Sequence, residues 1–248
     1  MFVLVMPVSD GLGENNLYIY PPALTMPLSI SAFRCVLSQI CDMKSDTPLL
    51  SKLEQNRRFL LGYHLAFETK RRMNWRQIVL LWFSAASAGH VRAQFYLATC
   101  YDDGRGVEKD TAIAYKWYLK AAMKGHMESQ YNIGFFYREG EVVKQNDKKA
   151  VYWYKLAAAQ GDTEAERDLG YCYFYGFGIK KDEKKAVFWY KKAAAKDDPK
   201  ALYNLGLCYK HGDGVNRSQR WAKYYFERAA RLGNSAASVQ LREIMTTS

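Results

Sequence analysis

The sequence predicts an all-α solenoid of stacked helical hairpins with a 36-residue period. Three features carry this reading. One pattern recurs without gaps from Ala93, Ser129, Ala165 and Ala201. Within each copy the apolar positions fall four residues apart, which places them on one helical face. A glycine-marked turn separates the two halves of a copy, as in Gly104-Arg105-Gly106, Gly176-Phe177-Gly178 and Gly212-Asp213-Gly214. Composition agrees. With 49% hydrophobic and 25% charged residues, a mainly disordered chain is excluded, and only 6 prolines interrupt 248 residues.

Residues 1–28 contain Pro7, Pro21, Pro22 and Pro27 and read as an irregular segment. Residues 29–56 read as a helical N-terminal cap. Ile30, Phe33, Leu37, Ile40 and Cys41 recur at helical spacing, and Thr47-Pro48 resembles a cap with a first-turn proline. A helix from there would run through Leu49, Leu50 and Leu53. Residues 57–92 form a divergent unit. Leu61-Gly62, Trp82, Ala85, Ala86 and Gly89-His90 keep the pattern, whereas Glu68 and Lys70 replace the turn glycines.

Four regular units follow, 93–128, 129–164, 165–200 and 201–236. Their first helices carry Ala93, Leu97, Tyr101; Ser129, Ile133, Tyr137; Ala165, Leu169, Tyr173; and Ala201, Leu205, Tyr209. Each second helix is expected to start at an N-cap residue: Asp110, Asn146, Asp182 or Ser218. Its buried face alternates aromatics with alanine, as in Ala186, Trp189, Tyr190, Ala193 and Ala194. Val142 stands where the second unit should have its second turn glycine, so an altered turn is expected there. Residues 237–248 continue the pattern through Ala237 and Leu241 as a capping helix and tail. A single hairpin cannot bury its own apolar face, so the units must stack.

Candidate chemistry is sparse. Cys100, Cys172 and Cys208 occupy the slot that holds Phe136 in the second unit, so they read as core residues. Equivalent positions of packed helices lie about 8–10 Å apart, beyond the roughly 7 Å limit for disulfide-bonded Cα atoms. Three free, buried thiols are expected. Cys35 and Cys41, six apart, are poorly aligned for a metal. His90 and His126 fall beside the closing glycines and read as solvated turn residues; His64 shares the core slot and reads as half-buried. No paired-histidine, P-loop or nucleophile-elbow motif occurs. No catalytic residue, metal site or cofactor is expected.

The pattern resembles the Sel-1-like repeat family, a relative of the tetratricopeptide repeats. The family signature is Ala-x-x-x-Leu-Gly-x-x-Tyr, then Gly-x-Gly-Val, then Asp-x-x-x-Ala-x-x-Trp-Tyr-x-x-Ala-Ala-x-x-Gly. Residues 165–197 match nearly every position, with Ile179 for Val and Asp197 for the closing Gly. The resemblance covers residues 57–244. It implies a right-handed superhelical α/α solenoid that serves as a protein-interaction scaffold. Some secreted relatives carry paired cysteines in each repeat, and a few bind or slowly hydrolyse β-lactams. This chain has only one cysteine of each pair, which weakens that alternative.

In such a solenoid the first helices line the concave face. Phe59, Tyr63, Phe95, Tyr131, Phe135, Tyr171 and Tyr203 take outward positions there, beside Asn132, Asp168 and Asn204. Rings supply contact area and amides pair with a peptide backbone. The expected partner is therefore a protein or peptide of unknown identity.

The net charge is +11. Residues 47–92 contribute +6 of it, concentrated in Arg57, Arg58, Lys70, Arg71, Arg72, Arg76 and Arg92. A basic patch can attract anionic surfaces, which gives a second alternative. No nucleic-acid motif supports a nucleic-acid partner. The longest apolar runs, 78–83 and 2–8, fall short of the roughly 20 residues that cross a bilayer. Residues 2–8 have no preceding Lys or Arg and no clear cleavage site. The expected location is the cytoplasm, in keeping with unpaired thiols.

Overall fold

The computed structural model describes residues 50–68 and 74–246. The expected irregular segment, most of the expected cap, and the Lys70-Arg71-Arg72 run lie outside the described residues. Eleven α-helices are present among those described: α1 (Lys52–Tyr63), α2 (Trp75–Ser87), α3 (Val91–Asp103), α4 (Thr111–Ala122), α5 (Met127–Glu139), α6 (Asp147–Ala159), α7 (Thr163–Tyr175), α8 (Glu183–Ala195), α9 (Pro199–His211), α10 (Gln219–Arg231) and α11 (Ser235–Thr246). From α3 onward, the odd-numbered helices start 36 residues apart. They form one row of first helices, and the even-numbered helices from α2 to α10 form a second row.

Local sequence sets the ends of these helices. Asp110, Asn146, Asp182 and Ser218 are the N-caps of α4, α6, α8 and α10, as expected, each accepting a bond from the backbone N–H three residues on. The first helices α3, α5, α7 and α9 end on a left-handed glycine. The second turn glycine has a different purpose. A Cβ on Gly178 would run into the Asp147 carbonyl at the start of α6, so this turn lies directly on the preceding unit. Val142, at the matching place in the second unit, does not adopt positive φ, and the turn there is altered as expected. Each turn is tied back to its first helix; Asp182, for example, donates its N–H to the Tyr173 carbonyl at 2.9 Å.

Packing follows the repeat. Ala93, Ser129, Ala165 and Ala201 are fully buried, and so are Leu97, Ile133, Leu169 and Leu205. Second helices fill the core with Trp82, Tyr118, Tyr154, Tyr190 and Phe226. Each such ring contributes about 1.5–3 kcal/mol by burial. The neighbouring Trp117, Trp153 and Trp189 are only half-buried. At the end of the array, α11 covers the last apolar face with buried Ala237 and half-buried Leu241 and Ile244.

Two expectations about the first hairpin need correction. Helix α1 starts at Lys52 rather than Pro48, because Ser51 caps it by accepting the Glu54 N–H at 3.2 Å; Leu53 is left 80% exposed. Beyond Tyr63 the chain widens into a π-helical turn, His64–Glu68. The extra residue in that turn rotates the register. Ala66 is buried, while His64 faces out and shares a 2.6 Å contact with Glu68.

Candidate protein-binding surface

The outward positions of the first helices divide into two kinds. Some are absorbed by packing against neighbouring helices and their caps. Phe59 is 2% exposed and stacks on the His90 ring at 4.6 Å, which removes it from any surface. Phe95 stacks on His126 at 4.7 Å in the same way. Tyr63 meets Tyr96 edge-on at 5.8 Å, and Tyr203 leans on Phe226 at 5.8 Å. The two histidines are therefore not solvated turn residues. His90 is the N-cap of α3, with Nδ1 accepting the Ala93 N–H at 3.1 Å. Burial, aided by Arg92 and Lys124, lowers its pKa to about 4.

In the middle of the row the side chains bridge units. The Tyr131 hydroxyl donates to Asp168 Oδ2 at 3.3 Å, linking α5 to α7. Asp168 also binds Arg167 Nε at 2.8 Å, and Arg167 Nη1 reaches Asp198 at 3.1 Å, ahead of α9. Tyr131 stacks on the buried Tyr154 ring at 5.8 Å. Burial first, then the Asp168 charge, pushes the Tyr131 phenol above its ordinary range. This group ties three successive first helices together.

Beside it lies an exposed aromatic group. Phe135 is 44% exposed, Tyr175 54% and Phe177 42%. Tyr171 lies 4.5 Å from Tyr175 and 5.9 Å from Phe177 between ring centroids. The Arg138 guanidinium of the preceding unit sits over the Tyr171 ring at 4.6 Å. Asn132 and Asn204 are half-buried on the same row. Sequence reasoning placed Phe135 and Tyr171 here but missed Arg138, Tyr175 and Phe177. The signal was present: the third unit alone has Tyr or Phe on both sides of its first turn glycine, Tyr175-Gly176-Phe177, where the other units have Arg105, Glu141 or Asp213 after that glycine.

The expected basic patch changes composition. Arg58 is 8% exposed and bonded to Glu54 Oε1 at 2.9 Å and to the Ser84 hydroxyl, so it belongs to the α1–α2 interface. Arg92 lies over the Phe59 and Tyr63 rings at 5.0 and 5.8 Å. Arg57 and Arg76 are exposed. Cys100, Cys172 and Cys208 are free and buried, as expected. Among the described residues, no cluster of His, Cys, Asp and Glu is placed to hold a metal, and no helix is long and apolar enough to cross a membrane.

Two rows of repeated helices with interlocked turns define an α/α repeat solenoid. The Sel1 repeat model matches residues 91–126, 128–162, 163–198 and 199–234, more than half of the sequence. The chain belongs to the Sel1 repeat family. Solved structures agree. The chain resembles a Sel1 repeat protein from Oxalobacter formigenes, with 30% identity and a TM-score of 0.71, over 85% of this chain and 82% of the other. It also resembles c5321, a protective antigen of uropathogenic Escherichia coli with the same fold, at 32% identity and a TM-score of 0.72. That match covers 77% of this chain but spans only 41% of the antigen. Among curated proteins, none matches. Sel1 repeat solenoids are commonly protein-interaction scaffolds and are generally non-catalytic.

Proposed function

We propose that the chain is a non-catalytic scaffold that binds a protein or peptide segment along its row of first helices, centred on α5 and α7. The observation that carries this reading is the set of exposed rings Phe135, Tyr175 and Phe177, with half-buried Tyr171 and Arg138 beside them. Tyrosine, tryptophan and arginine are enriched among the few residues that dominate binding at protein interfaces. The Tyr131–Asp168–Arg167–Asp198 network next to it holds the helices in place, so the surface is organised before binding. Asn132 and Asn204 flank it with amides suited to a peptide backbone. Tyr131, Phe95 and Tyr203 support the surface through their packing.

A peptide-display selection on the purified chain tests the reading. Selected peptides should bind the parent protein and lose at least about tenfold in affinity to a Phe135→Ala/Tyr171→Ala/Tyr175→Ala variant. Circular dichroism would check that the helices persist. Full retention of binding by that variant would remove this face from the function.

A further inference from the structure

Charge is distributed unequally between the two rows of helices. The first helices α1, α3, α5, α7, α9 and α11 carry nine basic and nine acidic residues. The second helices α2, α4, α6, α8 and α10 carry fourteen basic and only three acidic residues. The difference of +11 on the second row equals the formal net charge of the whole chain. The basic surface therefore extends along the second row instead of being confined to residues 57–92.

One place on that row is not basic. Between α4 and α6 lies a cleft of about 450 Å³ lined by Leu119, Met123, Tyr152, Trp153 and Leu156, with Ala122 and Gln130 at its base. Met123 is 75% exposed and Tyr152 58%. The repeat supplies its own comparison. Thirty-six residues on, the positions of Leu119, Met123 and Leu156 hold Lys155, Ala159 and Lys192. Thirty-six residues earlier, they hold Phe83, Ser87 and Lys120, and Phe83 packs against Trp117 at 6.1 Å. Of these three inter-unit clefts, only the one between α4 and α6 has leucine at both the Leu119 and the Leu156 position. Lys116, Lys120 and Lys155 are exposed on the same two helices.

We propose that this cleft docks an acidic segment of a partner protein through one large apolar anchor side chain. The wall residues would desolvate the anchor, and the surrounding lysines would complement the acidic flanks. A general polyanion surface would not need the apolar walls, and a purely apolar interface would not need the exposed lysines next to Leu119 and Leu156 in sequence. The walls of this site come from the second helices α4 and α6, and it stands independently of the function proposed for the first-helix surface.

The test uses two fluorescein-labelled polyglutamate peptides, one with a central tryptophan and one with alanine in its place, titrated by fluorescence polarisation. The tryptophan peptide should bind more tightly. Leu119→Lys and Leu156→Lys install the residues that the next cleft already carries at these positions, so the fold accommodates them. Each variant should weaken the tryptophan peptide at least about tenfold, although each adds a positive charge. Each should leave the alanine peptide unchanged or slightly tighter. Lys116→Glu/Lys120→Glu should weaken both peptides, and Phe135→Ala/Tyr171→Ala neither. Equal binding of the two peptides, or unchanged tryptophan-peptide binding by the lysine variants, overturns the proposal. So does equal competition by a single-stranded oligonucleotide or anionic vesicles that is insensitive to Leu119→Lys, which would mark a general polyanion surface. Concentration-dependent self-association abolished by Leu119→Lys would mark a second copy as the occupant and would likewise overturn it.

Discussion

Lys196 Nζ lies 2.8 Å from Glu166 Oε2 and donates a second bond, at 2.7 Å, to the Gly161 carbonyl. The same two positions change together along the array. In the preceding unit they are Gln130 and Gln160, bonded at 2.7 Å, with Gln160 donating to the Gly125 carbonyl. In the following unit they are Leu202 and Leu232, and Arg228 instead reaches the Ala194 carbonyl and Asp197. The two positions thus form an amide pair in one unit and an ion pair in the next, and hold two leucines in the one after. Glu166 is 2% exposed, so its carboxylate depends on Lys196. Lys196→Leu should cost about 2 kcal/mol, because it leaves a buried charge unpaired. Adding Glu166→Leu should recover most of the loss, because it removes the buried charge and installs the two leucines that the following unit carries at these positions. Urea unfolding of both single variants and the double variant gives the coupling directly; simple additivity would refute it.

Gly170 faces the Tyr190 ring so closely that an added Cβ would lie 2.7 Å from the ring edge and 3.2 Å from the Ala186 carbonyl. Gly134 with Tyr154 and Gly206 with Phe226 repeat the arrangement. Alanine improves helix propensity by about 1 kcal/mol, but overpacking a close helix contact costs about 1–3 kcal/mol. Thermal melts of Gly134→Ala, Gly170→Ala and Gly206→Ala should all shift downward. A rise in any of them would show that the hairpins can separate without loss.

The fold was legible because identical spacing repeats its signal in every unit. The N-caps, the turn glycines and the buried thiols were read correctly for that reason. The candidate site was less legible because outward positions look alike in sequence. Phe59 and Phe135 both stand on first helices, yet Phe59 is covered by His90 at the cap of α3 and Phe135 is not. That difference depends on what the neighbouring unit presents. Arg58 was misread in the same way: its charge is visible in sequence, but the Glu54 and Ser84 partners that bury it become neighbours only when α1 packs on α2. The π-turn at His64–Glu68 falls where the turn glycines are missing, and it moved His64 out of a slot that counting alone assigned to the core.

Stability should fall on mild acidification. His90 has its pKa held down to about 4 by burial and by Arg92 and Lys124, and burial also lowers that of His126. Unfolded imidazoles titrate near pH 6.5. Between those values the unfolded chain binds more protons, so the contribution of these rings is complete above about pH 6.5 and is lost as the pH falls toward 4. Asp162 acts in the opposite sense, since burial pushes its carboxyl up to about 6. His90→Asn keeps an N-cap without a titrating ring and should flatten the decline. Urea midpoints at about pH 7.5 and about pH 5 measure it; an unchanged slope in the variant would assign the decline elsewhere.

Cys100, Cys172 and Cys208 have their thiols pushed up to about 12, chiefly by burial. The thiolate is the reactive form, and its population at pH 8 is then about one part in ten thousand. Each thiol also lies in the slot that Phe136 fills in the second unit, where the side chain is 7% exposed. These cysteines therefore act as small apolar side chains. In the native protein they should resist iodoacetamide at pH 8 and become alkylated only in denaturant, as read by peptide mass mapping. Cys172→Ala should cost about 1 kcal/mol through the lost sulfur volume and leave peptide binding on the first-helix row unchanged. Rapid native alkylation of Cys172 would instead show that the hairpin opens locally, and the interlocked turns would then be far less rigid than their geometry requires.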